Sequence, residues 1–173
     1  MRTIYENWNG HIVKLTWKPK INIQDDNIKI TSVHAVCVQE NKIVLSLIPN
    51  RGFNIPGGHI ELGESIEDGL HREVFEEAYV KGTLTYLGCI EVNHEENPKF
   101  DPHGKYPLIA YQAFYRMDIT ECCPFLREHE SKARIWVERS EISYVINDHE
   151  LINDIIDNAF TIRDLIMKGD QKM

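Results

Sequence analysis

The stretch Gly58–Val80, GHIELGESIEDGLHREVFEEAYV, decides how this chain is read. Glu73, Glu76 and Glu77 fall at helical spacing, so an α-helix carries three carboxylates within a roughly 100° arc of one face. Like charges that close repel by about a few tenths of a kcal/mol per pair, and an isolated helix gains nothing from them. A divalent cation would reverse the sign. Leu70, Val74 and Ala78 line the adjoining side of the same helix and face a core. Ser65 with Asp68 three residues later gives the N-cap signal. Ahead of the helix stand a further acid, Glu64, and the turn Pro56-Gly57-Gly58.

Working outward, Ser32–Gln39 and Lys42–Ile48 read as two apolar strands joined by a Glu40-Asn41 turn, and Phe53–Pro56 leads into the glycine turn. Thr83–Val92, Leu108–Met117 and the shorter Arg134–Val137 read as further strands. A polar loop, His94 to Tyr106, is long enough to act as a lid or to be merely a surface loop. Leu151, Ile152, Ile155, Ile156, Ala159 and Phe160 recur at helical spacing and predict a second long helix. At the N-terminus Asn9-Gly10 separates two strand-like runs, the second alternating Val13, Leu15 and Trp17 with Lys14, Thr16 and Lys18. Residues 1–30 therefore read as a hairpin extension of the domain, or as an edge for a homodimer contact. Strands interrupted by two helices predict an α/β class, a sandwich around a mixed sheet.

A chain of 173 residues with 42% apolar content fits a single domain with a sizeable core. The net charge of −8, with no basic block, argues against nucleic acid as a partner. The first ten residues contain no apolar run of the signal-peptide kind, and no stretch of about 18 apolar residues could span a membrane. Cys37, Cys89, Cys122 and Cys123 contain no Cys-x-x-Cys pair and read as buried reduced thiols of a cytoplasmic protein.

Gly58, five residues, Glu64, seven residues, then Arg72-Glu73-Val74 and Glu76-Glu77, ending on the apolar Val80, closely resembles the signature of the Nudix hydrolases, the MutT-like family. The resemblance spreads more weakly over residues 31–147 and, with the second long helix, marks 31–173 as the Nudix domain. It implies a Nudix fold, an α/β/α sandwich with a mixed sheet between helices. It also implies that Glu73, Glu76 and Glu77 bind Mg²⁺ (Mn²⁺ being the alternative), with the Gly58 carbonyl as a further ligand. Glu64 and Arg72 would pair and fix the turn on the helix. Without the register to Gly58, Glu64 and Arg72, a solvated acidic face would account for the trio.

Family members differ in the general base, and here the choice stays open between Glu76, Glu128 and Glu130, the last two in a charged loop before a late strand. Arg51 and Arg116 are candidates to meet phosphates. Phe53 stands where relatives often carry an aromatic before the Pro-Gly-Gly turn; it is a candidate to stack on substrate, with core packing the favoured explanation. His59 and His71 read as non-ligands, because the family binds metal through oxygen. One position departs from the signature: Tyr79 occupies the place of the final glycine. A bulky residue there is strained if the helix ends on it, so the expectation is that the helix runs on and Gly82 makes the left-handed turn. On that expectation, Tyr79→Gly would raise stability or leave it level.

The function implied is metal-dependent hydrolysis of a phosphoanhydride in a nucleoside diphosphate linked to another moiety. No marker for ADP-ribose, dinucleoside polyphosphate or coenzyme A substrates is visible, which leaves a nucleoside triphosphate, a small-molecule nucleotide, by elimination. The other reading is a non-catalytic nucleotide-binding or regulatory module on the same scaffold; such modules usually lose box acids, and this chain keeps them all.

Overall fold

The computed structural model describes residues 1–170. Strands β1 (Arg2–Trp8) and β2 (His11–Pro19) form the N-terminal hairpin. Its two-residue turn works because Asn9 (φ 54°) and Gly10 (φ 90°) both take the left-handed region that a type I′ turn needs. There follow β3 (Ile30–Gln39), β4 (Lys42–Ile48), and the short β5 (Gly52–Asn54) and β6 (Gly57–His59). Helix α1 (Ile66–Ala78) carries the glutamate trio. The long strands β7 (Val80–Asn93) and β8 (Ile109–Cys122) precede β9 (Ala133–Glu138), the single turn α2 (Ile142–Val145) and α3 (Leu151–Asp170).

The sheet runs β1-β2-β7-β8-β3-β4-β5, with β6 paired to β3 and β9 to β4. It is mixed, since β3 and β8 run parallel while their neighbours pair antiparallel. Period-two alternation splits the buried residues between its faces. Val36, Val38, Ile43 and Leu45 pack with Leu15, Trp17 and, from α3, Leu151, Ile155 and Ile156. Val33, Ala35, Cys37 and Val44 pack with Leu70, Val74 and Ala78 of α1. The sheet is thus held between α1 and α3, the α/β sandwich that the pattern predicted. The β1–β2 hairpin joins the same sheet through β2 and β7.

Three expectations change. Tyr79 itself is the left-handed residue (φ 53°, ψ 42°), and Gly82 has no positive φ, so the helix ends at Ala78 and does not run on. The reason is packing. The Tyr79 ring is 1% exposed and lies against Phe75, Phe125 and His129, at centroid distances of 5.4, 5.0 and 6.0 Å. Left-handed backbone costs about 1–2 kcal/mol, and burying a ring of this size returns about as much or more.

Arg116 is withdrawn from phosphate binding by its burial. It is 1% exposed, and its guanidinium donates to the Asp118 carboxylate and, at 2.8 Å, to the Ala159 carbonyl. Of the cysteines, Cys37 and Cys89 are buried as expected, but Cys122 is exposed and Cys123 only partly covered. No helix among the described residues is long and apolar enough to cross a membrane.

Candidate active site

The site begins with a hydrogen-bonded start to α1. The Ser65 hydroxyl accepts the Asp68 N–H at 3.1 Å, satisfying one orphan donor of the first turn. One turn on, Arg72 binds Glu64 bidentately, Nε to Oε1 at 2.6 Å and Nη2 to Oε2 at 2.9 Å, and also reaches the His59 carbonyl at 3.1 Å. Glu64 in turn accepts the Glu61 N–H at 2.9 Å. The helix is therefore clamped to the loop before it. These bonds hold the Glu64 carboxyl down at about 2 and raise Arg72 above its ordinary value.

Glycines bring that loop against the carboxylates. A Cβ on Gly57 (φ 152°) would meet the Val33 carbonyl oxygen at 2.2 Å, and one on Gly58 would meet Glu73 Oε2 at 2.5 Å. At Gly57 the clash is with backbone, so only glycine lets β6 lie against β3; at Gly58 it is with the end of the Glu73 side chain, which would have to move. The Gly57 N–H donates to Glu77 Oε2 at 3.1 Å.

Glu77 is 7% exposed, and burial pushes its carboxyl up to about 7, against the smaller opposing pull of the Gly57 N–H. Glu73 is raised as well, first by burial, although it accepts from Arg72 Nη1 at 2.9 Å. Glu76, 3.5 Å from Arg72, is the more exposed of the three. All three line one polar cleft with Gly58, Arg51 and Glu130.

Among the described residues, no three His, Cys, Asp or Glu side chains stand close enough together to hold a metal ion as they are placed. Arg72 and the Gly57 N–H occupy part of the acceptor capacity. The donor set is oxygen throughout and open to water, which suits a hard cation such as Mg²⁺ that keeps several of its own waters.

The two loop candidates for the base separate. Glu130 lines this cleft and its charge raises Glu73 and Glu77, whereas Glu128 lines no part of it and donates its backbone N–H to the Tyr79 hydroxyl just past α1. Arg51 also lines the cleft and offsets part of the charge on Glu77. Phe53 lies elsewhere: it packs against the α3-side core and bridges Ile146. His59 accepts or donates to the Tyr106 hydroxyl at 3.2 Å, tying the 94–106 loop to the mouth of the site, while His71 stands exposed.

Several residues carried no readable signal. Trp8, at the hairpin turn, lines a second cleft that continues from Gly57 and Glu77 past His34, Gln112, Phe114 and Asp148. His34 stacks on Phe114 at 5.1 Å, and burial lowers it to about 4, so it is neutral. Arg134 donates to the Ala78 and Tyr79 carbonyls at 2.7 and 3.1 Å, capping a helix whose last turn has no basic residue of its own. That missing cation was the one hint the sequence contained.

A sequence profile of the NUDIX domain matches residues 29–157. Among solved structures, the Bacillus subtilis pyrophosphohydrolase BsRppH superposes with a TM-score of 0.60 at 18% identity, covering 99% of this chain and 97% of its own. A NUDIX hydrolase from Nitrosomonas europaea gives 0.58 at 23% identity, covering 77% and 90%. A MutT structure from a study of Aliivibrio salmonicida and Vibrio cholerae gives 0.53 at 16%, covering 77% and 98%. No curated relative matches the chain in sequence. At these identities the structural likeness speaks for the fold alone. With the profile covering most of the chain and the box intact, the chain belongs to the NUDIX domain family and is a Nudix hydrolase.

Proposed function

We propose that this chain is a metal-dependent pyrophosphohydrolase that cleaves a phosphoanhydride in a nucleoside diphosphate linked to another moiety, with nucleoside triphosphates as the favoured class. The observation that carries this reading is the convergence of Glu73, Glu76 and Glu77 on one cleft, with Glu77 buried and its carboxyl pushed up to about 7. Such a group is one a bound cation would ionise.

In this reading Glu73, Glu76 and Glu77 hold Mg²⁺, or Mn²⁺, with the Gly58 carbonyl as a further oxygen. A bound divalent cation would make water nucleophilic at neutral pH and neutralise charge on the phosphates. Glu64 and Arg72 keep α1 in register with the glycine turn. Arg51 meets the phosphates at the cleft mouth. Glu130 takes the proton from the attacking water, with Glu76 the alternative; Glu128, outside the cleft lining, takes no part in the step. The nucleoside occupies the adjoining cleft, where the partly exposed Trp8 ring and the His34–Phe114 pair supply stacking surfaces. Phe53 serves the core rather than the substrate. The substrate is a small molecule, the acidic surface disfavours nucleic acid, and the setting is cytoplasmic.

The test measures phosphate and pyrophosphate release from nucleoside triphosphates, ADP-ribose, diadenosine polyphosphates, nucleotide sugars and coenzyme A, with Mg²⁺ and then with EDTA. Metal-dependent turnover of one member, reduced at least about 100-fold in Glu76→Gln and Glu77→Gln, is the expected result. Nucleotide binding without turnover anywhere on the panel would support the regulatory module instead.

A further inference from the structure

The residue that breaks the family signature is attached to the loop that carries Glu130. The Tyr79 hydroxyl accepts the backbone N–H of Glu128 at 2.8 Å, and its ring packs on Phe125 and His129 of the same loop. Its backbone is tied there too, since the Tyr79 carbonyl accepts the Cys123 N–H at 2.9 Å. Arg134 then closes the loop at its far end, donating to the Ala78, Tyr79 and Cys123 carbonyls. The loop side chains Glu128, His129 and Glu130 are themselves exposed. Among the described contacts the loop is therefore held mainly through its backbone and Phe125, with the Tyr79 ring at the centre. A glycine at residue 79 would provide neither ring nor hydroxyl.

We infer that Tyr79 is a positioning residue: its hydroxyl and ring hold the 123–131 loop so that Glu130 faces the carboxylates of α1. This rests on the proposed function only for the role of Glu130, not for the attachment itself. It also accounts for the strained backbone. The left-handed conformation at residue 79 is what turns a side chain at the helix end towards the loop rather than along the helix, and a buried aromatic compensates for it.

The conservative variant is Tyr79→Phe, which keeps the ring and removes the acceptor for the Glu128 N–H. Amide hydrogen exchange of the metal-free protein reads the attachment directly. Exchange of the Glu128 amide should speed up about tenfold or more in the variant while the amides of α1 stay as protected as before. Turnover reads the consequence. With Mg²⁺ and the best substrate of the panel, kcat should fall about tenfold with KM within about twofold, and Tyr79→Phe should cost little further in a Glu130→Gln background.

Unchanged exchange overturns the inference whatever the activity. An equal loss of kcat in both backgrounds also overturns it, because Tyr79 would then act by another route. A wild-type protein that hydrolyses nothing with Mg²⁺ would remove the proposed function, and the exchange experiment would still decide the attachment.

Discussion

Gly57 and Glu77 are joined by a single hydrogen bond of 3.1 Å from the glycine N–H to the carboxylate Oε2. It ties the start of β6 to the last turn of α1, where the buried Glu77 lines the cleft. The bond stabilises the charged form of Glu77, but burial outweighs it, and the carboxyl rises to about 7.

This sets the sign of a pH effect. Without metal, folded Glu77 keeps its proton up to about pH 7, while unfolded Glu77 releases it near 4.5. The folded state binds more protons between those values, so the contribution of Glu77 to stability is whole below pH 4.5 and falls as pH rises to 7. Glu77→Gln should remove that decline. In EDTA the two proteins should melt together near pH 4.5, and the variant several degrees higher at pH 8. His34 titrates alike in both and cancels. Equal melting at pH 8 would contradict the burial argument.

Glu64 works in the opposite direction. Its carboxyl is held near 2 by Arg72, so the stability it contributes is complete above about pH 4.5 and is lost as pH falls towards 2. Glu64→Gln should lower the melting temperature at pH 7 and flatten the acid limb between pH 4.5 and 2, as followed by circular dichroism.

Gly58→Ala tests the close approach of β6 to α1. The backbone of Gly58 has no positive φ, so alanine fits it without strain, but the new Cβ would lie 2.5 Å from Glu73 Oε2. What must move is the end of a flexible side chain. The expected outcome is a small change in stability, within about 1 kcal/mol, with metal-dependent turnover down at least about tenfold. A fully active variant would show that the position of Glu73 is immaterial.

Tyr79→Gly should be markedly destabilising, contrary to the expectation from the signature. Relief of the left-handed backbone returns about 1–2 kcal/mol, whereas deleting a fully buried aromatic costs about 3–5 kcal/mol. The net loss, about 1–4 kcal/mol, is measurable as a lower midpoint in urea. A midpoint unchanged or raised would mean the ring contributes no packing.

The family, the start of α1 at its Ser65 cap, most strands and the acids of the box were legible in the local sequence. Those readings rest on local periodicity and on side-chain types at fixed spacing, as with Leu70, Val74 and Ala78 on one side of α1 and the glutamates on the other. Tertiary structure alone decided matters that depend on residues far apart in the chain. Gly57 reaches Glu77, Tyr79 reaches Glu128, Arg134 caps α1 from β9, and Arg116 turns into the interior to meet Ala159. Whether Tyr79 or Gly82 would end the helix could not be read locally, because the local preference for glycine is about 1–2 kcal/mol and the decision lay with a buried ring and the loop packed against it. The same holds for where Glu128 and Glu130 lie, because only the way that loop is held brings Glu130 to the cleft and leaves Glu128 out of its lining.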